Sequence, residues 1–374
     1  MKIVNIIIAM FSVGLISCNS GKKAETISQQ DSLRTQETEH LYTWLKNVPQ
    51  KGFMFGHQDA TVYGIGWEGD SARSDVKSIC GDYPAVCGWE IGRIESGKPA
   101  SLDNVSFDRI RKEMILNYLR GGMNTLSWHT DNPLTGGDSW DVTAKDSVVM
   151  SILPEGVNHE KFMGWLDTLA GFLNSLVTED GTKIPVLFRP WHEHTGSWFW
   201  WGKDHCTPEQ YKTLWVMTYD YLHEKGINNL LYAYSPGGGC SAEEYMERYP
   251  GDEYVDLLGF DYYQMNGTEG TESYKEVMNA TLSFVTSLGK EHGKPIAVTE
   301  TGLEAIPVKD WWTQVLYPIV EQYPVSYVLL WRNAREKPNH YYAPYPGQLS
   351  EMDFIEFYKN PKTLFCKDLN GLYK

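Results

Sequence analysis

A single-domain (β/α)8 barrel is the fold this sequence predicts, and three features predict it. Eight short, nearly continuous apolar runs recur along the chain and end in polar residues, as strands of a parallel sheet covered on both faces do. Longer amphipathic stretches of helical period lie between them. Neither an internal repeat nor a second linker divides the 374 residues. An open doubly wound sheet uses the same alternation, but no glycine-rich phosphate loop follows the first run.

In chain order, the first element is a targeting segment. Lys2 supplies a positive charge, and residues 3–16 are mostly apolar, which is the length of a signal-peptide core rather than of a membrane span. The stretch ends in "LISC", which resembles the lipobox of bacterial lipoproteins. This predicts a signal peptide over 1–17, lipidation of Cys18 and a polar tether over 18–36, followed by one folded domain over 37–374. A plain secretory signal is the alternative. No acidic run follows Cys18, the next charges being Lys22 and Lys23, and this points to a lipid anchor in the cell envelope facing the periplasm.

The predicted strands are residues 52–58, 85–90, 123–129, 184–193, 229–235, 255–263, 295–301 and 325–333. The clearest helices are 107–120, 159–176, 207–226 and 273–293. Thr207 as N-cap, Pro208 at the first position and Gln210 two residues on start the third of these, and Gly226 stops it. A long insertion, 129–160, follows the third strand, and long barrel loops wall off one end of a cleft.

Composition narrows the partners. A net charge of −15 argues against nucleic acid, whose binding rests on Lys and Arg contacts. Fourteen Trp and 23 Tyr favour a surface that stacks flat apolar faces, as sugar rings present. Beyond Cys18 there are Cys80, Cys87, Cys206, Cys240 and Cys366, with no CxxC pair. Cys80 and Cys87 either bridge or remain free thiols.

Barrel chemistry sits where strands end. The predicted tips carry His57-Gln58-Asp59, Trp89-Glu90, Trp128-His129, His192-Glu193, Ser235, Asp261-Tyr262-Tyr263, Glu300 and Trp331-Arg332-Asn333. Glu193 and Glu300, on the fourth and seventh strands, face each other across the mouth and supply the two carboxylates of glycoside hydrolysis. The competing reading pairs each with an arginine, Arg189 or Arg332. His192 and His194, alternate residues of a strand, share a face and with His57 or His129 could chelate a metal, but the zinc-protease motif needs i and i+4 on a helix. No metal or other cofactor is expected. "SPGGGCS", 235–241, lacks both a Walker loop and a nucleophile elbow and reads as a turn. Four bulky rings, Trp198 to Trp201, cannot all face one side, so at least one, Trp198, is expected to be free to stack on sugar.

"FRPWHEHTGSWFWWG" together with "AVTETG" resembles glycoside hydrolase family 26, mainly β-mannanases with a few lichenase- and xylanase-type members. "FGHQDA", "SWHTDNP" and "VDLLGFDYYQ" are similar to further family segments, so the resemblance covers roughly residues 40–370. It implies Glu193 as acid/base and Glu300 as nucleophile. It also implies that His192 lines the same subsite, that Trp198 packs near the scissile bond and that Tyr263, or its neighbour Tyr262, hydrogen-bonds the nucleophile. His129 and Trp331 would border the attacked sugar, and Arg332 would lie farther along the glycone side. Glu90 stands where the family has Asp, which leaves its role open. The implied activity is that of a retaining, monomeric endo-1,4-β-mannosidase on β-mannan or manno-oligosaccharides, with short products such as mannobiose and exo action as a variant. The alternatives are a β-glucanase (lichenase) or β-xylanase of the same family, a non-catalytic glycan-binding barrel and a metal hydrolase. Retention requires carboxyl groups about 5–5.5 Å apart and a raised pKa on the acid.

Overall fold

The computed structural model describes residues 34–374. The expected signal peptide, the expected lipidation site Cys18 and most of the expected tether lie outside the described residues. Helix α1 (Gln36–Asn47) follows, N-capped by the Thr35 hydroxyl, which accepts from the Thr38 N–H.

Eight parallel strands form the barrel: β1 (Phe53–Gln58), β2 (Val86–Glu90), β3 (Met123–Ser127), β4 (Val186–Arg189), β5 (Leu230–Tyr234), β6 (Leu257–Gln264), β7 (Ile296–Leu303) and β8 (Val325–Leu330). Each pairs with the next, and β8 pairs with β1 from Met54↔Tyr327 to His57↔Leu330, which closes the sheet and removes the open-sheet alternative. Residues near the strand starts, among them Met54, Val86, Met123, Leu187 and Leu231, pack with Leu41, Leu45 and Val48 into one apolar cluster. Helix α1 therefore plugs the bottom of the barrel and leaves polar residues to the strand ends.

The main discrepancy with the sequence reading lies in β4, expected to reach residue 193 but ending at Arg189. Pro190 offers no N–H to a ladder, and Trp191 and Glu193 then take left-handed backbone angles, φ 52° and 53°. His192 and Glu193 thus sit on a turn rather than on a strand. Strands β3 and β8 also stop short, at Ser127 and Leu330, whereas β7 runs on to Leu303.

The outer helices include α2 (Phe107–Leu119), α3 (His159–Asn174), α4 (Pro208–Glu224) and α5 (Thr271–His292). Thr207 and Gln210 form a reciprocal capping box on α4, and Gly293, at φ 67°, closes α5. The insertion after β3 carries a short helix, Ser147–Ile152, and is tied to the loop after β4 by Trp200 N–H donating to Ser139 O at 3.2 Å. The five described cysteines are free thiols, and buried Cys87 donates to Asn117 Oδ1, so no Cys80–Cys87 bridge forms.

Candidate active site

Glu300, near the end of β7, is held from two sides. Tyr263 donates its hydroxyl hydrogen to Oε2 at 2.7 Å, and the buried Arg189 guanidinium at the end of β4 donates to Oε1. Arg189 also donates to Asp261 Oδ2 at 2.7 Å, and Ser235 donates to Asp261 Oδ1 at 2.8 Å. Register explains the cluster: Asp261 on β6 lies beside Glu300 on β7. Tyr262 instead stacks on Tyr274 at 6.0 Å, on the other side of the strand.

Glu193 reaches the same place from the turn after β4, anchored by its N–H donating to Ser235 O at 2.7 Å. Its half-buried carboxyl accepts one hydrogen bond, from Trp198 Nε1 at 2.7 Å. Carboxylate oxygens of Glu193, Asp261 and Glu300 lie within 4.8 Å of one another. Burial pushes the Glu193 carboxyl well above its ordinary range, Asp261 and Glu300 push it further, and the Trp198 hydrogen bond opposes them. Of the two arginine pairings weighed against catalysis, one exists: Arg189 holds Glu300, while among the described residues Glu193 forms no ion pair with an arginine.

Trp198 is 47% exposed, whereas Phe199, Trp200 and Trp201 are buried. Its ring lies over Gly196, where an added Cβ would meet ring atoms at 2.2 Å. The glycine therefore provides the seat that brings the indole N–H back to Glu193.

A histidine pair forms the opposite wall. His129 Nδ1 is 2.6 Å from Glu90 Oε2, and its Nε2 is 3.1 Å from His192 Nε2. Burial alone would lower the pKa of His129, but the Glu90 carboxylate outweighs it and raises it. His192 is driven well below the usual imidazole range by burial, then by Arg189 and His129. The Glu90 carboxylate fixes His129 Nδ1 as a donor, and the contact between the two Nε2 atoms needs one ring to donate and the other to accept. Glu90 thus acts by fixing His129, and it also accepts from Ser127 and from the Gly92 and His129 N–H groups.

The proposed His192–His194 chelate fails on geometry. With the backbone turning at Glu193, the two rings part: His194 packs between Tyr211 and Tyr234 at 4.4 and 4.9 Å, behind the site. Among the described residues, the ligand group close enough to share a cation is Glu193, Asp261 and Glu300. Arg189, Ser235 and Tyr263 already occupy the oxygens of Asp261 and Glu300, so the set fits a fixed nucleophile better than a metal.

These groups open onto a cleft of about 430 Å³, lined by Glu193, Glu300, His129, Trp198, Tyr263 and Trp331 among others. Arg332 is not in its lining. It is pulled to the other side by ion pairs with Asp103 at 3.0 Å and Glu336 at 2.9 Å. His192 lies beneath the lining, under His129 and Phe199.

The sequence profile described as glycosyl hydrolase family 26 matches residues 30–312. The chain belongs to this family. A family 26 β-mannanase from Bacteroides ovatus is 57% identical, with a TM-score of 0.89 over 91% of this chain and 98% of that one. An endo-β-1,4-mannanase from Cellulomonas fimi is 34% identical, with a TM-score of 0.83 over 92% and 79%. A mannan endo-1,4-β-mannosidase of Bifidobacterium adolescentis is 32% identical over 95% of this chain. The chain spans 37% of that protein's length and 62% of a Caldalkalibacillus mannanilyticus relative.

Several cleft residues of this family 26 chain escaped the sequence reading. Trp140, from the insertion, stacks on His129 at 5.4 Å. Glu304, His340 and Tyr342 line the far wall. Only the polar, aromatic loop after β8, "REKPNHYYAPY", hinted at His340 and Tyr342. Arg189 was visible as a buried charge within an apolar run, but its double partnership appears only once β4, β6 and β7 lie side by side.

Proposed function

We propose that this chain is a retaining β-mannanase that cleaves β-1,4-mannosidic linkages in mannan or manno-oligosaccharides. The observation that carries this reading is the close approach of Glu193 and Glu300, with Glu193 pushed towards its protonated form by burial and Glu300 held by Arg189 and Tyr263. Glu300, held by Arg189 and Tyr263, attacks the anomeric carbon. Glu193 donates its proton to the departing glycosidic oxygen as the carbon–oxygen bond breaks. The mannosyl-Glu300 ester is then opened by water, whose proton Glu193 accepts, so the β configuration is kept. Mannan as the substrate rests on the named activities of the relatives.

The walling of the cleft by Trp140 and the loop after β8 supports release of short products such as mannobiose. The "LISC" stretch supports a lipid anchor at Cys18, with the domain facing the periplasm. Cys18→Ala should then turn a membrane-pelleting protein into a soluble one, and equal fractionation of both forms would end that part of the reading.

The roles are tested by rescue. Glu193→Ala should still be glycosylated by an aryl β-mannoside with a good leaving group, and azide should restore turnover with retained β configuration. Glu300→Ala should lose both steps. Azide rescue of Glu300→Ala should give the inverted α-mannosyl azide, because azide then attacks from the face that Glu300 left; rescue to a β-mannosyl azide would instead exchange the roles.

A further inference from the structure

Two ionisable cleft residues have no part in this mechanism. Glu304 follows the end of β7, and His340 lies on the loop after β8. Both line the cleft that holds Glu193 and Glu300, and His340 Nδ1 is 2.6 Å from Glu304 Oε1. Their position relative to the chemistry is set by Tyr342. That ring lies edge-on to Tyr263, the partner of Glu300, with centroids 5.5 Å apart, and edge-on to His340 at 5.3 Å. One tyrosine ring therefore separates the pair from the nucleophile's hydrogen-bond partner. The tyrosine fits because Gly302 is a glycine: a Cβ there would meet Tyr342 Cδ1 at 2.4 Å.

The loop carrying His340 is fixed before any substrate arrives. Ala334 N–H donates to His340 O at 2.8 Å, and Ala305 N–H donates to Tyr341 O at 2.9 Å. Asn333 Oδ1 accepts from the N–H groups of Tyr342 and Ala343 at 3.0 and 2.9 Å. The pair is thus preorganised, which lowers the ordering cost of binding. Glu304 is 53% exposed and His340 15%, so a carboxylate oxygen remains accessible while the imidazole is mostly packed.

We propose that Glu304 and His340 form a hydroxyl-binding clamp for the sugar unit next to the one attacked. This rests on the reading of the chain as a β-mannanase. The short contact places the imidazole proton on Nδ1, donated to Glu304, although Lys337 Nζ also lies 3.4 Å from that nitrogen. This leaves two acceptors, the second Glu304 oxygen and His340 Nε2. Each sugar in a β-mannan presents free hydroxyl donors, and a charged acceptor makes the stronger hydrogen bond. The bland alternative is an ion pair that only anchors the loop.

Glu304→Gln separates the two readings. Its amide oxygen can still accept from His340 Nδ1, so the anchor is kept, while the free carboxylate oxygen becomes an amide donor. The clamp predicts a roughly tenfold rise in KM for mannohexaose, with kcat little changed and the melting temperature unaltered. It also predicts a shifted cleavage register on reducing-end-labelled mannopentaose, because one subsite has been weakened. Glu304→Asp, which keeps the charge on a shorter arm, should fall between. A Glu304→Gln enzyme with wild-type KM and an unchanged product pattern would overturn the clamp and leave the β-mannanase reading standing. A wild-type enzyme inactive on every β-mannan would overturn that reading and the clamp with it.

Discussion

Trp198 is the side chain on which the acid depends most visibly. Its indole N–H favours the ionised form of Glu193, against burial and two neighbouring carboxylates. Removing that hydrogen bond therefore raises the Glu193 pKa further. Because cleavage needs Glu193 protonated, Trp198→Phe should move the alkaline limb of the kcat/KM profile to higher pH, while kcat/KM at the optimum falls roughly 10- to 100-fold. A profile that keeps its shape, or moves to lower pH, would contradict this. Glu90 makes a similar prediction for its partner. In Glu90→Gln the His129 imidazole loses the carboxylate that raises its pKa, so its titration, followed by NMR of labelled histidine, should move to lower pH. An unmoved titration would show that Glu90 does not hold the ring. At this scale the sequence was legible where the residue lay in or just past a strand, as with Glu300 and Tyr263 within β7 and β6 and His129 shortly beyond β3. The orientations of His194 and Arg332 depend on a turn and on ion pairs that no spacing reveals.

The decisive element is the turn after β4. A strand running on to residue 193 would have put His192 and His194 on one face; Pro190 and two left-handed residues break that alternation and send Glu193 into the cleft and His194 into the packing behind it. Non-glycine residues with positive φ concentrate at functional sites, and here one of them is the proposed acid itself. The same element makes Gly196 indispensable. In Gly196→Ala the new methyl would displace the Trp198 ring, so the variant should reproduce the alkaline shift of Trp198→Phe with little change in melting temperature. A wild-type pH profile in Gly196→Ala would mean that the ring's seat does not matter. Element type was readable because buried parallel strands and capped helices leave strong patterns, as the Thr207–Gln210 box does. The β4 boundary was not, since the apolar run and the loop share aromatic composition.

Across the whole molecule, the barrel keeps an apolar plug at the strand starts and gathers ionisable groups at the strand ends. Burying those groups has a pH signature. Burial lowers the His57 pKa from 6.5 to about 4, so the unfolded chain takes up a proton in that window that the folded chain does not. The stability this residue supplies is complete above pH 6.5 and is lost as pH falls towards 4, about 3 kcal/mol in all. Chemical denaturation across that range should show a smaller loss for His57→Gln than for the wild type, and parallel curves would contradict the assignment. The closed barrel was legible from eight polar-tipped runs, but the far wall of the cleft was not, because Glu304, His340 and Trp140 come from loops whose meeting is a property of the assembled fold. The central claim, that Glu193 and Glu300 act as acid/base and nucleophile in a double displacement, is tested most directly by the anomer first released from mannohexaose, followed by proton NMR before mutarotation. The β anomer should appear first. Initial release of the α anomer would mean single displacement and would contradict that claim.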